Sequence, residues 1–311
     1  MMEPLKENIS LHNYFIFSGF SELGALKSFI YIPFLILFFV SLFANSLLIY
    51  VVISQRSLHS PMYILIAALS FVDMCLPLIL IPNLLLNVLF NVSGISLTGC
   101  LVQMFMIHML GACQSALLVW MALDRYFAIC RPLSYRHHMS LPRFLRFIIP
   151  VLIRDVIMVS AVVLLAGKVL YCFRNVINHC VCEHMALVEL GCGSTAINSL
   201  VGLLGVFVVT VVDFLCIAAS YIIIFHSVLR SGKFSAKALH TCITHIIVIV
   251  IGLAFTLTAF LAYRMNSLPN AGRVFVSIMY MFLPSCINPI IYGVRTTEIR
   301  QNILKVLSSY R

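Results

Sequence analysis

Charge is what this sequence has least of. Only 10% of its 311 residues are Asp, Glu, Lys or Arg, against 62% that are apolar, whereas a soluble globular domain carries about 25% charged residues. That shortage excludes a soluble fold, because no fold of this size could hide so much apolar side chain from water; the solvent is expected to be lipid. Acids are scarcer than bases, ten against twenty, which leaves a formal net charge of +10. A secretory signal is lacking as well. The first 28 residues are polar and mixed, with no apolar core beside a cleavage site, so the first apolar run is expected to act as its own insertion signal. Internal repeats and low-complexity stretches are not found. Neither is a metal cluster, a nucleophile constellation or a phosphate loop, which argues against an enzyme and against a cofactor.

What is present is a series of long apolar runs. A membrane-crossing helix needs about 20 mostly apolar residues, and seven segments qualify: 29–53, 62–90, 100–123, 144–167, 196–225, 241–263 and 274–293. They are far longer than the ~10 residues of a barrel strand. The fourth is the least clean, carrying Arg146, Arg154 and Asp155; the second contains Asp73 and the fifth Asp213. The expected fold is therefore an all-α membrane protein, a seven-helix bundle over residues 29–293. An extracellular segment, 1–28, precedes it. A cytoplasmic tail, 294–311, follows and opens on a short amphipathic helix.

The basic residues orient the bundle. With the N-terminus outside, thirteen Lys and Arg fall on the inner side, among them Arg131, Arg136, Lys233 and Lys237; six fall outside and Arg154 lies within a span. Such a bias marks the cytoplasmic face. It also assigns the positive charge to the anionic inner leaflet, so nucleic acid is not an expected partner. The two Asn-X-Ser sequons, at Asn8 and Asn91, both fall outside and are the glycosylation candidates. Of eleven cysteines, Cys100, Cys172, Cys180, Cys182 and Cys192 lie on the oxidising outer side, where disulfides are permitted. An odd count leaves one thiol free, and spacing does not say which.

Five motifs then appear in order. After the third span, residues 121–135 read MALDRYFAICRPLSY, which closely resembles the odorant-receptor signature MAYDRYVAICxPLxY. The second span opens SPMY at 60–63 and reaches LSFVD at 69–73, similar to PMYFFLxxLSxxD. The fifth span ends in Ser220 and Tyr221. The sixth begins KALHTCITH at 237–245, like KAxxTCxSH, and the seventh ends PSCINPIIYGVRT at 284–296. The long second outer loop and the Tyr263, Arg264 pair resemble the class I, fish-like, branch. This resemblance to the odorant (olfactory) receptors implies a rhodopsin-type G-protein-coupled receptor, a multi-pass protein of the plasma membrane. It would bind a small odorant and activate a stimulatory, olfactory-type heterotrimeric G protein; a receptor of the same fold with a metabolite-sensing role in another tissue is the alternative. The resemblance also implies the disulfides Cys100–Cys182 and Cys172–Cys192, with Cys180 free. The sequence departs from the family at Gln114, usually Glu, at Phe255, where class I members commonly have proline, and at Gly252 and Leu253, in place of an aromatic pair.

Individual positions carry specific expectations. Asp73, inside a span, needs partners to offset a cost of roughly 2.5–3.5 kcal/mol; Asn45, Gln114 and Asn288 are the candidates. The family implies a sodium or water cluster there, while a structural hydrogen-bond network is the physical alternative. Asp124, Arg125 and Tyr126 form the inner switch, with Tyr221, Asn288, Pro289 and Tyr292 as the other coupling positions; a plain interfacial Arg125 is the alternative. His108 lies sixteen residues before Asp124, about 24 Å along the helix, in the outer half of the bundle. With Met104, Ala112, Gly205, Val209, Leu257, Phe260 and Ile278 it makes the expected ligand site, although a histidine on an apolar helix can also be satisfied locally. Arg264 at the outer mouth could fork onto the carboxylate of an acidic ligand, or face lipid headgroups. The expected ligand is hydrophobic, with or without a polar end.

Overall fold

The computed structural model describes residues 12–90, 94–172, 174–231, 236–264 and 268–309. The long helices are α1 (Lys27–Ser54), α2 (Pro61–Phe90), α3 (Leu97–Cys130) and α4 (Leu141–Gly167). The fifth, α5, runs as Ala196–Val206, one π turn Phe207–Val211, and Val212–Ser231. Then come α6 (Ala236–Arg264), α7 (Asn270–Arg295) and a final α8 (Thr297–Ser309). Among the described residues, six of these are long and apolar enough to cross a membrane, and α6 contributes a shorter apolar stretch, Cys242–Thr258. They form the expected seven-helix bundle, with α8 as the expected helix after the seventh span.

The bundle is apolar outward. On α1 the residues Phe29, Ile32, Ile36, Phe39, Phe43, Tyr50 and Ile53 are exposed, a stripe at helical spacing. The opposite face buries Tyr31, Phe34, Ser41, Asn45, Leu48 and Val52. Water would never tolerate the first face, and lipid supplies it with an apolar partner. The inner half of the core gathers Leu48, Leu65, Leu69, Trp120, Met121 and Tyr292. The half nearer the disulfides gathers Tyr31, Phe34, Leu80, Ile107, Ile278 and Phe282.

One feature of the outer end was not expected from the sequence. A three-stranded sheet, in the order β2-β1-β3, joins β1 (Tyr14–Phe17) to β2 (Gly94–Ser96) antiparallel and to β3 (Val176–Ile177) parallel. Along β1 the residues alternate between exposed and buried, a period-two signal that four residues of an otherwise polar segment hardly announce. Phe15 packs edge-on against Tyr171, with ring centroids 5.2 Å apart. The sheet stitches the N-terminal segment and two loops into one cover over the bundle.

Candidate functional site

The cover is pinned to the helices by covalent and polar bonds. Cys100 at the start of α3 is disulfide-bonded to Cys182, and Cys172 to Cys192, as the resemblance implied. Cys180 is a free, buried thiol. Beside the first disulfide the Cys182 N–H donates to Gln103 Oε1 at 3.0 Å, so α3 holds the loop twice. The loop then forms a one-turn helix, His184–Val188, whose N-cap Glu183 accepts from the Ala186 N–H at 2.8 Å. Burial pushes the Glu183 carboxyl up to about 7 and the His184 imidazole down to about 4, the latter helped by nearby His108. His184 is buried, its Nε2 has no hydrogen-bond partner among the described residues, and its ring fills the space above Gly202, where an added Cβ would lie 2.7 Å away.

His108 faces this loop from α3. Its Nδ1 lies 2.8 Å from the Met104 carbonyl oxygen. A carbonyl only accepts, so Nδ1 carries the proton and, in the neutral ring, Nε2 is left as an acceptor. His184 of the lid lies within electrostatic reach of this ring. The sequence reading names His108 but not Glu183 or His184, whose signal is the Glu-His pair directly after the bridging Cys182. Of the other expected ligand positions, Met104, Ala112, Gly205 and Ile278 are buried and Val209 is half-buried within the π turn. Gly205 faces α4, since an added Cβ would meet Val162 at 3.4 Å. Leu257 is 51% exposed. Asn8, Asn91 and Lys233 lie outside the described residues, as do the side chains of Lys237, Phe260 and Arg264.

In mid-bundle, Asp73 is fully buried. Gln114 Nε2 donates to its Oδ1 at 2.5 Å and Asn288 Nδ2 to its Oδ2 at 3.0 Å. Asn45 does not join them. It donates to the Ser285 carbonyl at 2.8 Å and the Ser41 carbonyl at 2.9 Å, bridging α1 to α7 just before Pro289. Both carboxylate oxygens of Asp73 therefore already accept from amide N–H groups. That donor set makes the cluster a hydrogen-bond network joining α2, α3 and α7.

At the opposite end Arg125 Nη2 pairs with Asp124 Oδ2 at 2.9 Å, and the Tyr135 hydroxyl donates to Asp124 Oδ1 at 2.7 Å. Burial, then the adjacent carboxylate, pushes the Tyr135 phenol above its ordinary range, so it remains a donor. Tyr221 and Tyr292 are buried nearby, with no hydrogen-bond partner for either hydroxyl among the described residues. A cavity of 330 Å³, lined by Tyr126, Phe127, Arg131, Ser134 and His138, opens beside this ion pair. Leu133, on the loop between, is fully exposed.

A bundle of seven apolar helices with a disulfide-tied lid at one end and a paired Asp-Arg at the other is the architecture of a seven-span membrane receptor. The olfactory receptor family model matches residues 34–310. Among curated relatives, human (Homo sapiens) Olfactory receptor 52N2 is 35% identical over 94% of this chain and 93% of its own length. Olfactory receptor 52D1, also human, is likewise 35% identical over 94% and 93%. Human Olfactory receptor 51F2 is 34% identical over 98% of this chain and 90% of its own. The chain belongs to the olfactory receptor family. It is a G-protein-coupled odorant receptor of the plasma membrane and not an enzyme.

Proposed function

We propose that this receptor binds a small, mainly apolar odorant beneath the lid, between α3, α5, α6 and α7, and that binding frees Arg125 to engage a stimulatory, olfactory-type G protein. The observation that carries the reading is the buried His184 of the lid, its Nε2 without a partner among the described residues, within electrostatic reach of His108 on α3. It gives an apolar end of the bundle two imidazole rings, and a neutral His108 offers its Nε2 as an acceptor. An odorant with an apolar body and one hydrogen-bond donor, such as an alcohol or an undissociated acid, suits that pairing. Arg264 stays in the proposal from its sequence position, as an anchor for the ionised form.

The inner end supports the coupling half. Arg125 is tied to the neighbouring Asp124, so its release frees a guanidinium without unfolding anything. Fully exposed Leu133 and the basic loop with Arg131 and Arg136 supply an apolar knob within a cationic surface. In cells carrying an olfactory-type G protein, a panel of acids, aldehydes and alcohols should include agonists that raise cyclic AMP. His108→Ala at equal surface expression should weaken their potency by about tenfold, the worth of one buried hydrogen bond of ~1.4 kcal/mol. An unchanged concentration dependence for every agonist would remove His108 from the site.

A further inference from the structure

The charges that made the fourth span look untidy form a cluster in the middle of the membrane. Arg154 and Asp155 lie at the centre of the 27-residue α4, and Asp213 sits on α5 just past its π turn. Arg154 Nη1 donates to Asp213 Oδ1 at 2.6 Å and Nη2 to Asp213 Oδ2 at 3.1 Å. Its Nε and Nη2 also reach Asp155 Oδ1 at 3.0 and 2.8 Å. From α3 the Ser115 hydroxyl completes the set, donating to Asp213 Oδ2 at 2.7 Å. Three spans meet at one guanidinium.

The two carboxyl groups are not equivalent. Asp213 has a partner on both oxygens, three donors in all. Asp155 is fully buried, and its Oδ2 has no hydrogen-bond partner among the described residues. The charge count is also unbalanced: one cation faces two acids, which would leave a net negative charge in a medium that tolerates none. Besides Arg154 and Asp213, the titratable group in electrostatic reach of Asp155 is the thiol of Cys113 on α3, which cannot supply a positive charge. An opposite charge favours the ionised form of one acid, and a second acid sharing the site then keeps its proton.

We propose that this cluster is an intramembrane proton site: Asp155 holds one proton on Oδ2, Asp213 is the ionised partner of Arg154, and the neutral assembly fastens α3, α4 and α5 together. The proton is taken from water and no bond other than O–H is made. Asn reproduces a protonated Asp in shape and charge, so Asp155→Asn should leave surface expression within about twofold of the wild type. Asp213→Asn removes the carboxylate that ties α5 to Arg154 on α4 and to Ser115 on α3, leaves Asp155 to ionise in its place, and should lower surface expression by roughly tenfold or more. Infrared difference spectra of the purified full-length receptor in lipid nanodiscs read the proton directly. The wild type minus Asp155→Asn spectrum should show one protonated carboxylic C=O band, and Asp155→Glu should move that band without removing it. Two results would overturn the assignment. One is a lost carboxylate band in place of the C=O band. The other is an Asp155→Asn receptor that reaches the surface no better than Asp213→Asn.

Discussion

Tyr135 and Asp124 are joined across eleven residues by a 2.7 Å hydrogen bond from the phenol to a carboxylate whose other oxygen holds Arg125. The loop residue thus fixes the acid that holds Arg125, the arginine proposed to engage the G protein. A hydrogen bond to a charged group contributes about 1.5–3 kcal/mol. Tyr135→Phe should therefore move the resting equilibrium toward the signalling state by roughly tenfold. The measurement is agonist-free cyclic AMP at matched surface expression. A basal level no higher than that of the wild type would separate Tyr135 from the switch.

Gly202 is set by the lid. A Cβ there would lie 2.7 and 2.8 Å from two atoms of the buried His184 ring. Gly202→Ala must push that ring off its seat, and agonist potency should fall about tenfold, a cost of ~1.4 kcal/mol typical of overpacking. A control at Gly252, where an added Cβ meets nothing within 4 Å, should leave potency unchanged.

The two disulfides differ in the length of chain they close, 82 residues for Cys100–Cys182 and 20 for Cys172–Cys192. Loop-closure entropy predicts about 4.5 kcal/mol for the longer and about 3.3 kcal/mol for the shorter. Cys100→Ser should cost more surface receptor than Cys172→Ser. Flow cytometry on intact cells tests the order, and equal losses would contradict it.

The lid should loosen in acid. Burial holds His179 and His184 down at about 4 from an ordinary 6.5, so each is neutral in the folded lid where the unfolded chain would already be protonated. Their contribution is complete above about pH 6.5 and is lost as pH falls from there to about 4. Glu183 works the other way: its raised value, about 7 against 4.5, makes the fold more favourable as pH falls through that interval. Two groups oppose one, so between pH 6.5 and 4.5 one proton's worth of stability is lost, about 1.4 kcal/mol per pH unit. Hydrogen exchange across 176–192, corrected for intrinsic rate, should speed up on acidification. Glu183→Gln should steepen that dependence, and a lid that tightens in acid would contradict the account.

Much of this was legible in the chain because lipid is an unforgiving solvent. Runs such as 29–53 carry no charge, and a run of that length admits one structure. The disulfides were implied by the family resemblance that the ordered motifs carry, and the Asp124–Arg125 pair lies within one of those motifs. Other features depend on contacts between segments far apart. Arg154, Asp155 and Asp213 were counted as intramembrane charges, but nothing in their spacing said that one guanidinium would serve both acids. Asn45 was paired with Asp73 by polarity alone, whereas the fold turns it to the Ser285 carbonyl. The π turn at Phe207–Val211 has no marker in its apolar sequence, and His184 sits in a loop whose path depends on a sheet formed by three separate segments.

The most direct test follows Arg125. Agonist-evoked cyclic AMP should be compared between the wild type and Arg125→Ala at equal surface expression, with an olfactory-type G protein present. The account predicts a concentration-dependent rise in the wild type and no rise in the variant. A response that survives intact in Arg125→Ala would contradict it, because the odorant signal would then reach the G protein by some route other than this switch.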